Sequence, residues 1–143
     1  MKGLKKTVIK KSRFILSILI FYFFSTAVNA GWTKVTESNN GEVFYVDMEN
    51  IMERRDKVLF WELIDYKIKD KYGDLSAKIY VEGDCKNLKF KWLRLSYHKD
   101  AMGKDNVIDK KPSKFISDWQ HPKQNSTSMT VLNFVCKNKG ITL

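Results

Sequence analysis

Two cysteines, Cys85 and Cys136, lie downstream of what reads as an export leader, and this combination constrains the fold more than any other feature of the chain. Residues 1–13 are basic, Phe14–Phe24 is an apolar run broken only by Ser17, and Val28 and Ala30 place small residues at the cleavage positions of a secretory signal peptide. The alternative is an N-terminal membrane anchor. A helical span needs about 18–20 apolar residues, and this run has only 11. Cleavage is therefore expected after Ala30, leaving residues 31–143 as one exported domain. No Cys stands near that junction, so the lipobox of a bacterial lipoprotein is missing. In an oxidising compartment the cysteine pair is expected to form a disulfide rather than to bind metal or act as a catalytic thiol. Closing such a loop would stabilise the fold by about 4 kcal/mol in the chain-entropy model, a large share of a typical total of about 5–15 kcal/mol.

The leader also changes the meaning of the charge. The chain has 26 Lys plus Arg against 16 Asp plus Glu, a formal +10 that suggests nucleic-acid binding at first sight. Six of the basic residues and none of the acids fall in residues 1–30, which leaves a balance of +4 for the exported part. A charge that small supports no strong global field, and export removes the usual nucleic-acid targets, so no nucleic-acid partner is expected. The 43% apolar and 13% aromatic content is enough for a packed core and too high for a disordered chain.

Alternation of apolar and polar residues predicts strands over Val43–Val46, Val58–Tyr66, Leu75–Val81 and Lys89–Tyr97. In the last of these, Phe90 and Trp92 share one phase while Leu93, Leu95 and Tyr97 share the other, which predicts a bulge near Trp92–Leu93. Turn signals fall at Ser38–Gly41, Tyr72–Asp74, Glu82–Asp84 and Met102–Asp105, and no intervening segment is long enough for a parallel crossover, so the strands should be antiparallel. Asp47–Met52 is expected to form one helical turn with Asp47 at its N-cap. Val131–Val135 suits a strand by propensity. However, Met129, Leu132, Val135 and Cys136 share a helical face, Ser126 or Ser128 can cap it, Lys137 and Lys139 suit its C-terminus, and Gly140 suits the C′ position. A helix over residues 127–138 follows, stapled to the sheet by Cys136. The expected fold class is α+β, a small antiparallel sheet with a C-terminal helix packed on it.

Chemistry-bearing motifs are few. The closest glycines, Gly31 with Gly41 and Gly73 with Gly83, are ten residues apart, which rules out a Gly-rich phosphate loop. With only His98 and His121, far apart in sequence, no locally spaced metal site can be built. Asp65, in an apolar strand, is either a carboxylate accepting hydrogen bonds at a strand end or a buried acid–base group. His98 reads as an ordinary surface residue, with an axial haem-ligand role, shared with Met102 as candidate, as the alternative. No catalytic residue, cofactor or metal is assigned and the chain is not expected to be an enzyme. The remaining feature is the alternation of basic and aromatic residues from Lys86 to Arg94. It is either an amphipathic strand with Lys out and Phe or Trp in, or a surface that meets an acidic or protein partner through Lys86, Lys89, Lys91 and Arg94.

The ordered set Trp32, Val43–Asp47, Trp61–Tyr66, Leu75–Lys78, Asp84-Cys85, Arg94–Tyr97, Met102-Gly103, Trp119, Pro122 and Val135-Cys136 resembles the surface-adhesin protein E family over residues 32–137. The resemblance implies a small antiparallel sheet with a C-terminal helix tied on by the disulfide, in exported envelope proteins of Gram-negative bacteria. It also implies adhesive binding of host matrix and serum proteins, and a capacity to form homodimers. The motif residues Trp61, Asp65, Tyr66, Cys85, Trp119 and Cys136 themselves read as core and staple. An exported binding module of the periplasm or cell surface, recognising a protein or acidic extracellular partner, is the resulting expectation, with a periplasmic haem-like ligand binder as the alternative.

Overall fold

A computed structural model describes residues 31–139. The expected leader and Gly140 lie outside the described residues. Six strands form one sheet: β1 (Trp32–Glu37), β2 (Val43–Asp47), β3 (Met52–Arg54), β4 (Lys57–Asp65), β5 (Ser76–Asp84) and β6 (Lys89–His98). The order is β1-β2-β4-β5-β6, and β3 pairs with the N-terminal part of β4. Every pairing is antiparallel. A 3₁₀ turn (Ala101–Gly103), a short helix α1 (Lys114–Ser117) and the C-terminal helix α2 (Thr127–Asn138) follow among the described residues.

Helix α2 begins where its capping residue dictates, with the Ser126 hydroxyl accepting from the Met129 N–H at 3.2 Å. Its buried stripe, Val131, Leu132, Val135 and Cys136, packs on the sheet face formed by Phe44, Val46, Val58, Phe60, Ile79 and Val81. Cys85, the first residue after β5, joins Cys136 in a disulfide with a Cα–Cα distance of 5.7 Å. Gly83 is what lets α2 come this close. A Cβ there would lie 2.7 Å from Leu132 Cδ1 and 3.1 Å from Val58 Cγ2, so the expected turn at Glu82–Asp84 is instead the end of β5, and the chain reverses at Cys85–Leu88. Here glycine serves close approach rather than chain reversal.

The bulge lies where the change of phase puts it. Tyr80 pairs with Arg94 and Val81 with Trp92, leaving Leu93 unpaired. The extra residue brings Phe90, Trp92 and Leu95 to the same side, where all three flank the core. Asp47–Met52 corrects the expected helical turn. Asp47 does cap, accepting from the Glu49 and Asn50 N–H groups at 3.2 and 3.3 Å, but the chain then enters β3. The side-chain bonds close an Asx-type turn, which leaves no helix to propagate. Strands β1 and β3 carry little periodic signal: β3 is exposed throughout, and β1 alternates only in part.

Candidate functional site, a cationic aromatic face

The sheet face opposite α2 carries the even-numbered residues of β5 and, because of the bulge, Lys89, Lys91 and Arg94 of β6 together. Register sets Lys89 across from Asp84, Lys91 across from Glu82, and Arg94 across from Tyr80. Lys57, at the start of β4, is opposite Asp84 from the other side. Lys91 and Lys57 ion-pair with Glu82 and Asp84, both at 2.9 Å, while Lys89 reaches Asp84 at 3.9 Å. Burial pushes the Asp84 carboxyl up, but hydrogen bonds from the Asn87 side chain, the Lys57 ammonium and the Asn87 backbone outweigh it and hold the pKa at about 2. The hydrogen bond to Asp84 in turn raises Lys57 above the ordinary lysine range.

Trp119 comes to this face from the segment after α1. Gln120 and Phe90 exchange backbone hydrogen bonds at 2.8 and 2.9 Å, which fixes that segment along β6. The Lys57, Lys89 and Lys91 ammoniums then lie 5.1, 4.9 and 4.6 Å from the indole centroid. Beside them Arg94 stacks over Tyr80 at 5.0 Å and Trp61 at 5.4 Å, the two rings themselves 4.9 Å apart, and pairs with Asp109 at 3.3 Å. Lys86 is exposed in the Cys85–Leu88 turn and joins none of these pairs. Three of the four basic residues picked out in the sequence are thus gathered on one face, and Lys86 borders it. Trp61 and Trp119, expected in the core, are half-buried parts of that face. Lys57 escaped the sequence reading because only the register of β4 on β5 brings it there. A cluster of this kind offers cations partly neutralised by acids, and an aromatic ring as a platform.

The other candidates serve the scaffold. Asp65 accepts the Met102 N–H at 2.6 Å, the strand-end role of the two considered. His98 corrects the surface expectation. It is 2% exposed, with Nε2 2.8 Å from Ser96 Oγ and Nδ1 2.7 Å from Asp105 Oδ1. Both ring nitrogens are engaged, which leaves none for an axial ligand. The Ser96–His98–Asp105 connectivity is that of a catalytic triad. With Ser96 itself only 6% exposed, the group instead braces the segment after β6. That segment crosses the sheet: Lys78 donates to the Gly103 carbonyl at 2.7 Å and Gly103 N–H to Ser76 Oγ at 2.8 Å. A second acid, Glu62, interrupts the same apolar strand as Asp65 and is the one the fold buries. Glu62 lines a cavity of about 40 Å³ with Phe44, Phe60, Trp92 and Leu132, under α2, and desolvation pushes its pKa up to about 7.

An antiparallel sheet with a helix clamped to one face by a disulfide, and a cationic aromatic surface on the other, defines a small disulfide-stapled domain. The family model for surface-adhesin protein E matches residues 32–137, and the chain belongs to that family. Among solved structures it is similar to Haemophilus influenzae protein E. One crystal form gives a TM-score of 0.59 at 18% identity, covering 80% of this chain and 94% of that one. A second structure of the same protein gives 0.59 at 17% identity, with coverage of 82% and 92%. Protein E from a non-typeable strain gives 0.54 at 18%, with coverage of 80% and 81%. At these identities the structural likeness establishes the fold. No curated protein sequence matches the chain.

Proposed function

We propose that the protein is an exported, non-enzymatic binding protein of the bacterial envelope, adhesin-like, that recognises an acidic or protein partner through Lys86, Lys89, Lys91 and Arg94, and that pairs with a second copy of itself as the family resemblance implies. Membership of the surface-adhesin family supports the class. The single observation that carries the site is the convergence of three lysine ammoniums on Trp119, each within about 5 Å of the ring. A carboxylate-rich partner would exchange the intramolecular pairs with Glu82 and Asp84 for its own acids, while Trp119 supplies the apolar anchor typical of interface hot spots. No helix of the described residues is long and apolar enough to cross a membrane.

The test is binding of the exported protein to immobilised extracellular-matrix and serum proteins at physiological salt. Saturable binding should weaken as salt rises, drop roughly tenfold or more for Lys89→Glu with Lys91→Glu, and fall again for Trp119→Ala. Absence of any saturable partner, or binding unchanged by these variants, sinks the reading.

A further inference from the structure

The β4–β5 connection, residues 66–75, belongs to neither the core nor the cationic face. It lies at the opposite end of β5 from Lys86. Within it Ile68 is 78% exposed and Tyr72 69% exposed. Lys67, Lys69 and Lys71 alternate with these residues and are themselves exposed. Single apolar side chains on a surface need no explanation, but two large ones within five residues, interleaved with three cations, form a patch with amphipathic character.

The loop holds this arrangement by its own bonds. Asp70 accepts the Tyr72 and Asp74 N–H groups at 2.8 and 2.9 Å, and its backbone N–H donates to the Asp74 carbonyl at 2.9 Å. Gly73, at φ +81°, closes the turn. These contacts also occupy the local acids: Asp70 is engaged with backbone N–H groups, and Asp74 pairs with Lys99 at 2.7 Å. Lys67, Lys69 and Lys71 join none of the ion pairs among the described residues, and Lys71 lies 4.9 Å from the Tyr72 ring centroid. Between this loop and the β1–β2 turn runs a groove of about 590 Å³, lined by Asn40, Glu42, Tyr66, Lys67, Lys69 and Asp70, with Glu42 held by the Ser38 hydroxyl at 3.3 Å.

We propose that this loop docks on an anionic phospholipid surface, with Ile68 and Tyr72 entering the interfacial region and Lys67, Lys69 and Lys71 meeting headgroup phosphates. Each part fits one feature of that surface. An apolar tip gains from the acyl boundary, a tyrosine ring suits the headgroup level, and free ammoniums are drawn to a negative surface. The alternation favours a lipid surface over a folded acidic protein, because a membrane accepts apolar and cationic side chains at neighbouring depths without a shaped pocket. An exported protein would thereby acquire a reversible hold on the envelope.

The experiment uses the protein as released from an exporting cell, its N-terminus and disulfide established by intact mass, in flotation with vesicles of phosphatidylcholine alone or mixed with phosphatidylglycerol. Binding is expected only to the phosphatidylglycerol vesicles and should weaken with salt. Lys67→Glu with Lys69→Glu, and separately Ile68→Asp with Tyr72→Ser, should each reduce it about tenfold or more. These positions are exposed, so an unchanged melting temperature shows that the variants are folded. Lys89→Glu with Lys91→Glu should leave vesicle binding intact, which separates this site from the cationic aromatic face. No binding to phosphatidylglycerol vesicles, equal binding to both compositions, or loop variants that lose a protein partner but keep their lipid binding would each overturn the proposal.

Discussion

At the scale of single residues, Glu62 and Asp84 set opposite ends of the pH dependence. Glu62 sits among aromatic and aliphatic side chains, and its folded pKa of about 7 lies above that of the unfolded chain. Between these values the folded state holds a proton that the unfolded state has lost, so the stability linked to Glu62 is full below about pH 4.5 and declines as pH rises toward 7, by on the order of 3 kcal/mol in total. Denaturant unfolding from pH 5 to 8 should show that decline, and Glu62→Gln should flatten it; a slope that survives in the variant would assign it to another group. Asp84 works the other way. Its carboxyl is held at about 2, so the stability it contributes is present above the ordinary aspartate range and is lost as pH falls through that value. His98 shows how one residue changes meaning with context. In sequence it is a lone imidazole after a strand, and in the fold it is the middle of a Ser96–His98–Asp105 brace.

The disulfide and the α2–sheet contact belong to the scale of elements. Cys85 leaves the end of a central strand and Cys136 the last turn of the helix, 51 residues apart in sequence. Reduction, or replacement of both cysteines by alanine, should therefore lower the unfolding free energy by about 4 kcal/mol. Intact mass should rise by two hydrogens on reduction. Gly83→Ala tests the same contact without touching the bridge. The new methyl meets Leu132 and Val58, both buried in the core, so the helix must shift outward, and a loss of about 1–3 kcal/mol is expected by chemical denaturation. The helix was legible from its cap and its four-residue apolar stripe, and the bulge from a break in alternation. Strand β3 was not, because three exposed residues pairing with one end of β4 carry no pattern.

For the whole molecule, the sheet separates two surfaces. One is sealed by α2 and the disulfide; the other collects lysines, an arginine and three aromatic rings from β4, β5, β6 and the segment after α1. The salt-dependent partner binding expected of this second surface depends on both levels. The bulge at Leu93 phases Lys89, Lys91 and Arg94 onto one side, and the Gln120–Phe90 bridge delivers Trp119 to them. Loss of Trp119 should therefore weaken binding while leaving the disulfide-clamped core largely unaffected.

Local pattern and composition alone determined the export leader as an expectation, the central strands, the capped C-terminal helix and the pairing of the two cysteines. Each of these depends on nearest-neighbour periodicity, on a capping residue or on there being only one available partner. Tertiary structure decided what depends on register across strands distant in sequence. It moved Trp61 and Trp119 from the core to a cationic face, added Lys57 to that face, buried His98 and Glu62, and turned Gly83 from a turn residue into a point of close approach. The physical reason is that burial and charge pairing are properties of a site, and a site here is assembled from strands that only hydrogen-bond register brings side by side.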